Sequence, residues 1–161
     1  MTFTLSFDFA YLLTDHPPAR GPASQGGIYA VYDHATRELI YIGWTTQFRH
    51  RLGTYRDSNA FAGYPLGVFF GFAPIPRPPG TDDALSPAGA AYEALLQDVQ
   101  GSILSGFNPL PAENDRRPDH RLGDDIAVRG GFAWDSLLYF PANGYDAGDG
   151  TLSVIPIPKR R

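Results

Sequence analysis

The sequence predicts a single α+β domain whose centre contains strands and helices in the order strand, strand, helix, strand, helix. Three observations lead to this prediction. The length of 161 residues suits one domain with a core of its own. Apolar residues follow a two-residue period in some segments and a helical period in others. Clusters of glycine and proline separate those segments, as turns and loops do.

The first strands are predicted from residue type and alternation. Apolar residues alternate from Thr2 to Phe7, and a loop rich in proline and glycine follows from Asp15 to Gln25. The segments Ile28 to Tyr32 and Leu39 to Gly43 are rich in β-branched and aromatic residues. They flank the polar turn from Asp33 to Glu38, so we expect the two strands to form a hairpin.

The helices are predicted from spacing and composition. Apolar residues recur every three or four positions from Phe48 to Arg56, and Thr45 or Thr46 would cap this helix. The continuous apolar run from Leu66 to Phe72 is typical of a strand buried on both faces. A second helix is expected from about Ala88 to Ser105, where Ala, Leu and Gln are frequent.

The remaining segments give weaker signals. Pro74 to Pro87 is predicted to be a surface loop, because prolines and aspartates occur there without periodicity. The part after Pro109 begins as an acidic, arginine-bearing loop. Strands are expected near Gly131 to Trp134 and from Leu137 to Phe140, and a last apolar run extends from Leu152 to Ile157.

Composition and charge limit the classes of function. The absence of cysteine excludes a disulfide framework and a thiolate zinc site. No signal peptide or membrane-spanning segment is expected, so we predict a soluble, cytoplasmic protein without a membrane partner. The net charge of −4 argues against non-specific coating of nucleic acid but permits a local basic site. Arg116, Arg117 and Arg121 could guide a strand, or form a solvated face among nearby aspartates.

Two short motifs dominate the chain: Gly27-Ile28-Tyr29 and Tyr41-Ile42-Gly43. Hydrolysis of a phosphodiester needs a base for the attacking water and positive charge for the transition state. The chain has suitable groups: the phenols of Tyr29 and Tyr41, the guanidinium of Arg51, the carboxylate of Glu93 for Mg²⁺, and the amide of Asn108.

These groups also match a family pattern. The runs GGIY, YIG, WTTQFRHRLGTY, AAYEALL and FNP resemble the GIY-YIG nuclease family, over about Gly26 to Pro109. In that family an arginine follows the second tyrosine by ten residues, here Arg51, and a histidine or tyrosine comes four residues later, here Tyr55. Glu93 and Asn108 stand fifteen residues apart, like the family's acidic metal ligand and asparagine.

The resemblance implies both a fold and an activity. The expected fold is a GIY-YIG-like core over residues 26–109, with a three-stranded antiparallel sheet flanked by helices, inside a single domain of residues 1–161. Residues 1–25 and 110–161 would be peripheral additions. The expected activity is that of a divalent-metal-dependent endonuclease that uses Mg²⁺, or Mn²⁺ in its place, and nucleic acid is the expected partner, DNA ahead of RNA. Cutting both strands together would need a homodimer.

The resemblance also implies roles for individual residues. Tyr29 would act as the general base, Arg51 would stabilise the phosphoryl charge, and Glu93 would be the metal ligand. Tyr41 and Tyr55 would form a hydrogen-bonded network with the Tyr29 hydroxyl, and the amide of Asn108 would fix the geometry of the site. Residues near these groups are candidates for substrate contact: Gly43, Trp44, Thr45, Arg49 and His50.

Several alternatives remain open at the level of sequence. Trp44 is either a platform for the substrate or an aromatic residue at the rim of the core. His50 either contacts a phosphate backbone or is simply solvated. The chain could also be a non-catalytic module that binds nucleic acid or protein on a GIY-YIG fold. A third function is a phosphodiesterase for a small nucleotide, with the Pro74 to Pro87 loop as a lid.

Overall fold

The computed structural model describes residues 2–17, 20–78, 87–107 and 109–130, together with the backbone of 137–140 and 155–157. The α+β class is confirmed. The strands are β1 (Thr2–Phe7), β2 (Phe9–Leu12), β3 (Gly27–Asp33), β4 (Leu39–Thr45), β5 (Val68–Pro74), β6 (Asp125–Gly130), β7 (Leu137–Phe140) and β8 (Ile155–Ile157). The helices are α1 (Phe48–Asp57) and α2 (Pro87–Leu104), and a 3₁₀ turn covers Pro22–Ser24.

The central sheet has four antiparallel strands in the order β2-β5-β3-β4. The prediction of a three-stranded antiparallel sheet was therefore wrong in strand number. β3, β4 and β5 form as expected, and β2 adds a fourth strand by pairing with β5, Phe9 opposite Phe72. The N-terminal addition thus contributes one edge of the central sheet, while β4 lies at the other edge.

A β-bulge near Ile40 sets which side chains of β4 share a face with β3. Val31 pairs with Tyr41, but Tyr32 pairs with Leu39, which leaves Ile40 as the additional residue. Beyond the bulge the pairing is regular, with Tyr29 opposite Gly43. Residues directly opposite each other project to the same face of a sheet, so Tyr29 and the β4 residues near it meet on one side.

The sheet carries a hydrophobic cluster on each face. On one face α1 packs against aromatic residues, and Phe48 stacks on Phe72 with ring centroids 4.3 Å apart. On the other face α2 buries Leu96, Val99 and Ile103 against Ile28 and its neighbours. Each helix therefore covers one face of the strands that carry the tyrosine motifs, and fully buried side chains on both sides fix those strands in place.

The start of α1 differs from its predicted cap. The N-cap position belongs to Gln47, and no side chain caps the helix there, so the prediction of Thr45 or Thr46 as the cap was wrong. The Thr45 hydroxyl instead binds Gln47 locally, accepting from its N–H and donating to its carbonyl oxygen, both at 3.1 Å. The helix is anchored by Phe48, whose N–H donates to the carbonyl oxygen of Gln25 at 2.9 Å.

A second four-stranded sheet has the order β1-β6-β7-β8. Its first two strands are parallel, Thr2 opposite Asp125, and the later pairs are antiparallel. The predicted strands from Thr2 to Phe7 and from Leu137 to Phe140 are confirmed. β6 was not predicted, because its segment was assigned to the acidic loop. The strand predicted near Gly131 to Trp134 lies outside the described residues, as does the loop over 79–86.

Helix α2 makes a close contact that involves a glycine. A Cβ atom at Gly101 would overlap the carbonyl group of His120, so the chain after α2 passes directly over the helix backbone. The N–H of Leu122 donates to the Ser102 hydroxyl at 2.7 Å and fixes this crossing. Neither α1 nor α2, the helices in the described part of the chain, has the length and hydropathy to cross a membrane.

We predict that Gly101→Ala lowers the free energy of unfolding by about 1–3 kcal/mol, as overpacking in a close contact does. Helix propensity alone would give the opposite sign, a gain of up to about 1 kcal/mol. Gly53→Ala in α1 is the matched control, because the nearest atom to its new Cβ is Arg56 Nη2, at 3.7 Å. Urea unfolding of both variants checks the prediction, and equal stability of the two would contradict it.

Candidate active site

Three tyrosine hydroxyls meet on the α1 face of the central sheet. Tyr29 comes from β3, Tyr41 from the edge strand β4, and Tyr55 from the last turns of α1. The Tyr29 and Tyr55 hydroxyl oxygens are 2.6 Å apart and share a hydrogen bond in which either can donate. The Tyr29 ring centroid is 5.9 Å from that of Tyr41 and 6.0 Å from that of Tyr55. The structure thus brings together all three predicted tyrosines.

Gly43 makes this arrangement possible. It lies opposite Tyr29 in the β3–β4 pairing. A Cβ atom at Gly43 would overlap the ring and hydroxyl of Tyr29 and the ring of Tyr41. Only a residue without a side chain lets the Tyr29 phenol lie across β4 toward the edge of the sheet. The last residue of the second motif therefore has a steric role in placing the first tyrosine.

Burial controls the acidity of the tyrosines. Burial, the neighbouring phenols of Tyr41 and Tyr55 and the hydrogen bond to Tyr55 raise the pKa of Tyr29 well above its ordinary value of 10.0. Burial is also the largest cause that raises the pKa of Tyr41, to about 12. The Arg51 guanidinium acts against these shifts and lowers both pKa values. Both tyrosines are therefore protonated phenols at neutral pH in this structure.

Arg51 lies one helical turn before Tyr55 on α1. Residues four apart are neighbours on a helix surface, so Arg51 and Tyr55 share the face that meets the sheet. The side chain of Arg51 is half-buried. Its influence on the pKa values of Tyr29 and Tyr41 places its charge within electrostatic reach of both hydroxyls. The structure thus brings the predicted arginine to the predicted tyrosines.

Glu93 lies on α2, which runs along the edge strand β4. At the C-terminal part of the helix the Gln100 amide donates to the carbonyl oxygen of Ile42 at 2.9 Å. Toward its N-terminal end the Tyr92 hydroxyl donates to the carbonyl oxygen of Ile75 at 2.8 Å. Positions 93, 97 and 100 follow helical spacing, so half-buried Glu93 lies on the same face as Gln97 and Gln100.

A cleft of about 580 Å³ opens between these elements. Tyr41 and Trp44 of β4 form one wall, Gln97 and Gln100 of α2 form another, and the segment 114–120 forms the third. Because Tyr41 lines the cleft and also packs on Tyr29, the cleft begins at the tyrosine cluster. Its volume is within the range of about 300–1,000 Å³ that is common for small-molecule sites.

The residues present are compatible with one divalent cation. Mg²⁺ usually keeps several water ligands and takes one or two carboxylates from the protein. Glu93 supplies a half-buried carboxylate on the helix face that borders the cleft. Among the described residues no group of three or more His, Asp or Glu side chains is arranged to hold a metal ion. A single carboxylate such as that of Glu93 could take the protein's part in binding Mg²⁺, with water as the other ligands.

Asn114 is a site residue that the sequence analysis missed. Its amide side chain accepts from the N–H of Ile42 at 2.9 Å and donates to the carbonyl oxygen of Ile42 at 3.0 Å. The neighbouring Glu113 N–H donates to the carbonyl oxygen of Ile40 at 2.8 Å. These bonds cover the free edge of β4 beside Tyr41. The predicted amide, Asn108, lies outside the described residues.

The predicted substrate contacts divide into two groups. Gly43 borders the tyrosine cluster, and Trp44 lines the large cleft. Arg49 and His50 face a separate cleft of about 240 Å³ on the outer side of α1. There the Nε of Arg49 donates to the carbonyl oxygen of Pro17 at 3.2 Å. Thr45 is buried, and its hydroxyl is used by the turn before α1.

The arginines after α2 are largely structural. Arg117 donates to the carbonyl oxygens of Leu104 and Phe107 at 2.7 and 2.6 Å, which stabilises the end of α2. Arg121 donates to the carbonyl oxygens of Gly101 and Pro118 at 3.2 and 2.8 Å. These two guanidinium groups are therefore committed to the backbone, and the exposed side chain of the basic cluster is that of Arg116.

No protein-family model, curated protein or solved structure matches this chain. The fold and site are therefore defined by their own geometry. They describe an α+β protein in which three phenols and one guanidinium converge where a polar cleft begins at the edge of an antiparallel sheet.

Proposed function

We propose that the protein is a divalent-metal-dependent endonuclease of the GIY-YIG type that hydrolyses phosphodiester bonds of nucleic acid, with DNA as the expected substrate. One observation carries the proposal. The hydroxyl of Tyr29 lies in a cluster of phenols within electrostatic reach of Arg51, and Tyr41 of that cluster lines a cleft of about 580 Å³. A proton acceptor and a fixed cation beside a cleft are what hydrolysis of a phosphodiester needs.

Arg51 binds the phosphate in this proposal. A guanidinium presents donors in a planar fork that matches two phosphate oxygens, and its charge does not depend on pH in the physiological range. Arg51 projects from a helix that is fixed to the sheet by Phe48 and Leu52, both fully buried. A cation held in this way needs little reorganisation as charge develops on the non-bridging oxygens, so it stabilises the transition state.

In this proposal Tyr29 is the general base that accepts a proton from the attacking water. The water oxygen bonds to phosphorus, its proton passes to the Tyr29 oxygen, and the bond from phosphorus to the 3′ oxygen breaks. The leaving oxygen then takes a proton from solvent. Tyr29 must first lose its own proton, and the charge of Arg51 favours that loss by lowering the Tyr29 pKa, against burial and the hydrogen bond to Tyr55, which raise it.

Glu93 is the residue that would hold the divalent cation. A bound Mg²⁺ or Mn²⁺ would supply charge stabilisation at the leaving oxygen. Glu93 is not itself a lining residue of the cleft; it lies one helical turn before Gln97, on the helix face that Gln97 and Gln100 present to the cleft. The described part of the chain offers one such site, so the cutting of both strands would use two copies.

The test incubates the purified chain with plasmid, single-stranded DNA and RNA, in Mg²⁺ or in EDTA. We expect cleavage that EDTA abolishes and that Glu93→Ala lowers about 10³-fold, because a bound cation supplies several kcal/mol. Calorimetric binding of Mn²⁺ should be lost in the same variant. Glu38→Ala is the matched control, since Glu38 is exposed in the β3–β4 turn. Divalent-dependent cleavage by Glu93→Ala would contradict the metal assignment.

A phosphodiesterase for a small nucleotide is the second candidate. The cleft has the size of a small-molecule site, and the net charge of −4 does not favour binding of a long polyanion. Both properties favour a small nucleotide as the substrate. Turnover of a dinucleotide as fast as that of a long strand, with weak dependence on salt, would support this function, since binding of a polymer weakens steeply with salt. Binding of nucleic acid without turnover would instead support the non-catalytic module.

A further inference from the structure

From the composition of the large cleft we infer that it receives one unstacked nucleobase, so that the substrate has an unpaired nucleotide next to the cut. This inference rests on the proposed nuclease function and names its substrate class. It is carried by three properties of the cleft walls: an aromatic ring with an open face, an amide with free hydrogen-bonding capacity, and a balanced charge.

Trp44 supplies the aromatic ring. It is half-buried at the edge strand β4, packs against the α2-side core and lines the cleft. Within the described part of the chain no other aromatic ring packs against its indole. The indole therefore has surface available for a ligand. Stacking on an aromatic side chain is the common way in which proteins bind unpaired bases, because every base has a π-face.

Gln97 supplies the hydrogen-bonding groups. Its side chain lines the cleft opposite Trp44, and within the described residues it makes no hydrogen bond. The neighbouring Gln100 uses its amide N–H on the carbonyl oxygen of Ile42 and keeps its own carbonyl oxygen. An amide has two donors and an acceptor, which match the hydrogen-bonding edge of a base. Asn114 has less capacity left, because its amide already accepts from and donates to the backbone of Ile42.

The charges of the cleft argue against a site for phosphate alone. Arg116 and Arg117 line it together with Asp115 and Asp119, so opposite charges are equal in number. The Arg117 guanidinium is already committed to two backbone carbonyl oxygens. A phosphate placed here would meet two carboxylates and one available guanidinium. An uncharged base with donors and acceptors fits this environment better than an anion does.

The position of the cleft determines the form of the substrate. Tyr41 belongs both to the tyrosine cluster and to the cleft wall, so a base in the cleft would belong to a nucleotide at the cut. The cleft is bounded by β4, α2 and the segment 114–120 and is open to solvent on its remaining side. A base stacked within a duplex cannot enter such a space unless it leaves the stack, and unstacking it costs free energy. A single strand, or a duplex with an unpaired nucleotide, avoids that cost.

The test measures binding in EDTA, so that no turnover occurs. The chain has two tryptophans, and Trp134→Phe leaves Trp44 as the only one, so its fluorescence reports on the cleft. The probes are an oligothymidylate, an abasic strand of the same length and charge, a blunt duplex and an oligouridylate. We expect oligothymidylate to quench Trp44, and the abasic strand and the duplex to bind at least tenfold more weakly. The affinity of the oligouridylate, compared with that of the oligothymidylate, shows whether the site prefers RNA or DNA.

Variants test the two side chains by fluorescence anisotropy of a labelled strand. Trp44→Leu should weaken binding of oligothymidylate about tenfold or more, while Trp44→Phe, which keeps a ring, should weaken it less than about threefold. Gln97→Ala should weaken it about threefold to tenfold. Neither Trp44→Leu nor Gln97→Ala should change binding of the abasic strand. If Trp44→Leu does not fold, the base site is tested by comparing the affinities of oligothymidylate and the abasic strand for the protein with an unaltered cleft.

The outcomes separate this inference from the nuclease proposal. Equal binding of the abasic strand, tighter binding of the duplex, or no binding of oligothymidylate would overturn the base site. Quenching of Trp44 by thymidylate without cleavage in Mg²⁺ would support the base site and count against the nuclease. Equal cleavage of duplex and single strand, unaffected by Trp44→Leu, would support the nuclease and overturn the base site.

Discussion

Arg51→Ala is expected to lower the rate of phosphodiester cleavage by about 10³–10⁵-fold, as loss of an arginine that stabilises a transferring phosphoryl group does. The loss should appear in kcat more than in KM, because the charge is needed most where negative charge develops. The variant should also raise the pKa values of Tyr29 and Tyr41, which the guanidinium lowers. Single-turnover cleavage under saturating substrate measures the first effect.

Two further variants make this result interpretable. Arg51→Lys keeps the charge but loses the planar fork, so it should recover only part of the lost activity. Arg129→Ala removes an exposed arginine from β6 in the other sheet and should leave the rate unchanged. A variant of Arg51 that retained nearly full kcat with an intact fold would show that the phosphate is stabilised elsewhere.

The rate of cleavage is expected to rise about tenfold per pH unit from pH 7 toward pH 10, without a plateau. The form of Tyr29 that accepts a proton is the phenolate, and its pKa is raised well above 10.0 by burial and by the adjacent phenols. Below that pKa the phenolate fraction grows tenfold with each pH unit. Tyr29→Phe should remove this dependence and lower the rate by about 10²–10⁴-fold.

The matched control for Tyr29→Phe is Tyr32→Phe. Tyr32 lies on the same strand, is equally buried, and belongs to the cluster on the α2 face instead. Rates should be measured below pH 10. A tyrosine whose pKa is raised in the folded state contributes its full stabilisation below the unfolded pKa of about 10. This stabilisation is lost as the pH rises through the folded pKa, so the protein would begin to lose stability above about pH 10. A plateau near pH 7 would show that a more acidic group is the base.

The parts of the fold that were predicted from sequence are those with strong local signals. β3, β4 and β5 are rich in β-branched and aromatic residues, and α1 has apolar residues at helical spacing. In β2 and β6 these signals are short, since β2 has four residues and β6 begins with an aspartate and ends with a glycine. They become strands because β5 and β1 offer unpaired edges, which a local pattern does not reveal.

The candidate site was predictable to a similar extent. The tyrosines and Arg51 were found because they lie in or directly after the two motifs, on elements whose order was predicted. Asn114 was missed because its partner, Ile42, is far away in the chain, and nothing in its own segment indicates a contact with β4. The steric role of Gly43 depends on the β3–β4 register and likewise appears only in three dimensions.

The parallel pairing of β1 with β6 has a consequence for the order in which the chain folds. All strands of the sheet that carries the tyrosines have been synthesised once the ribosome reaches Pro74. β1 is made before these strands, yet its partner β6 begins only at Asp125. At the usual speed of translation β1 would wait several seconds with its strand edge unpaired. The site-bearing sheet can therefore assemble during synthesis, whereas β1 stays without its partner strand until residue 130 has emerged.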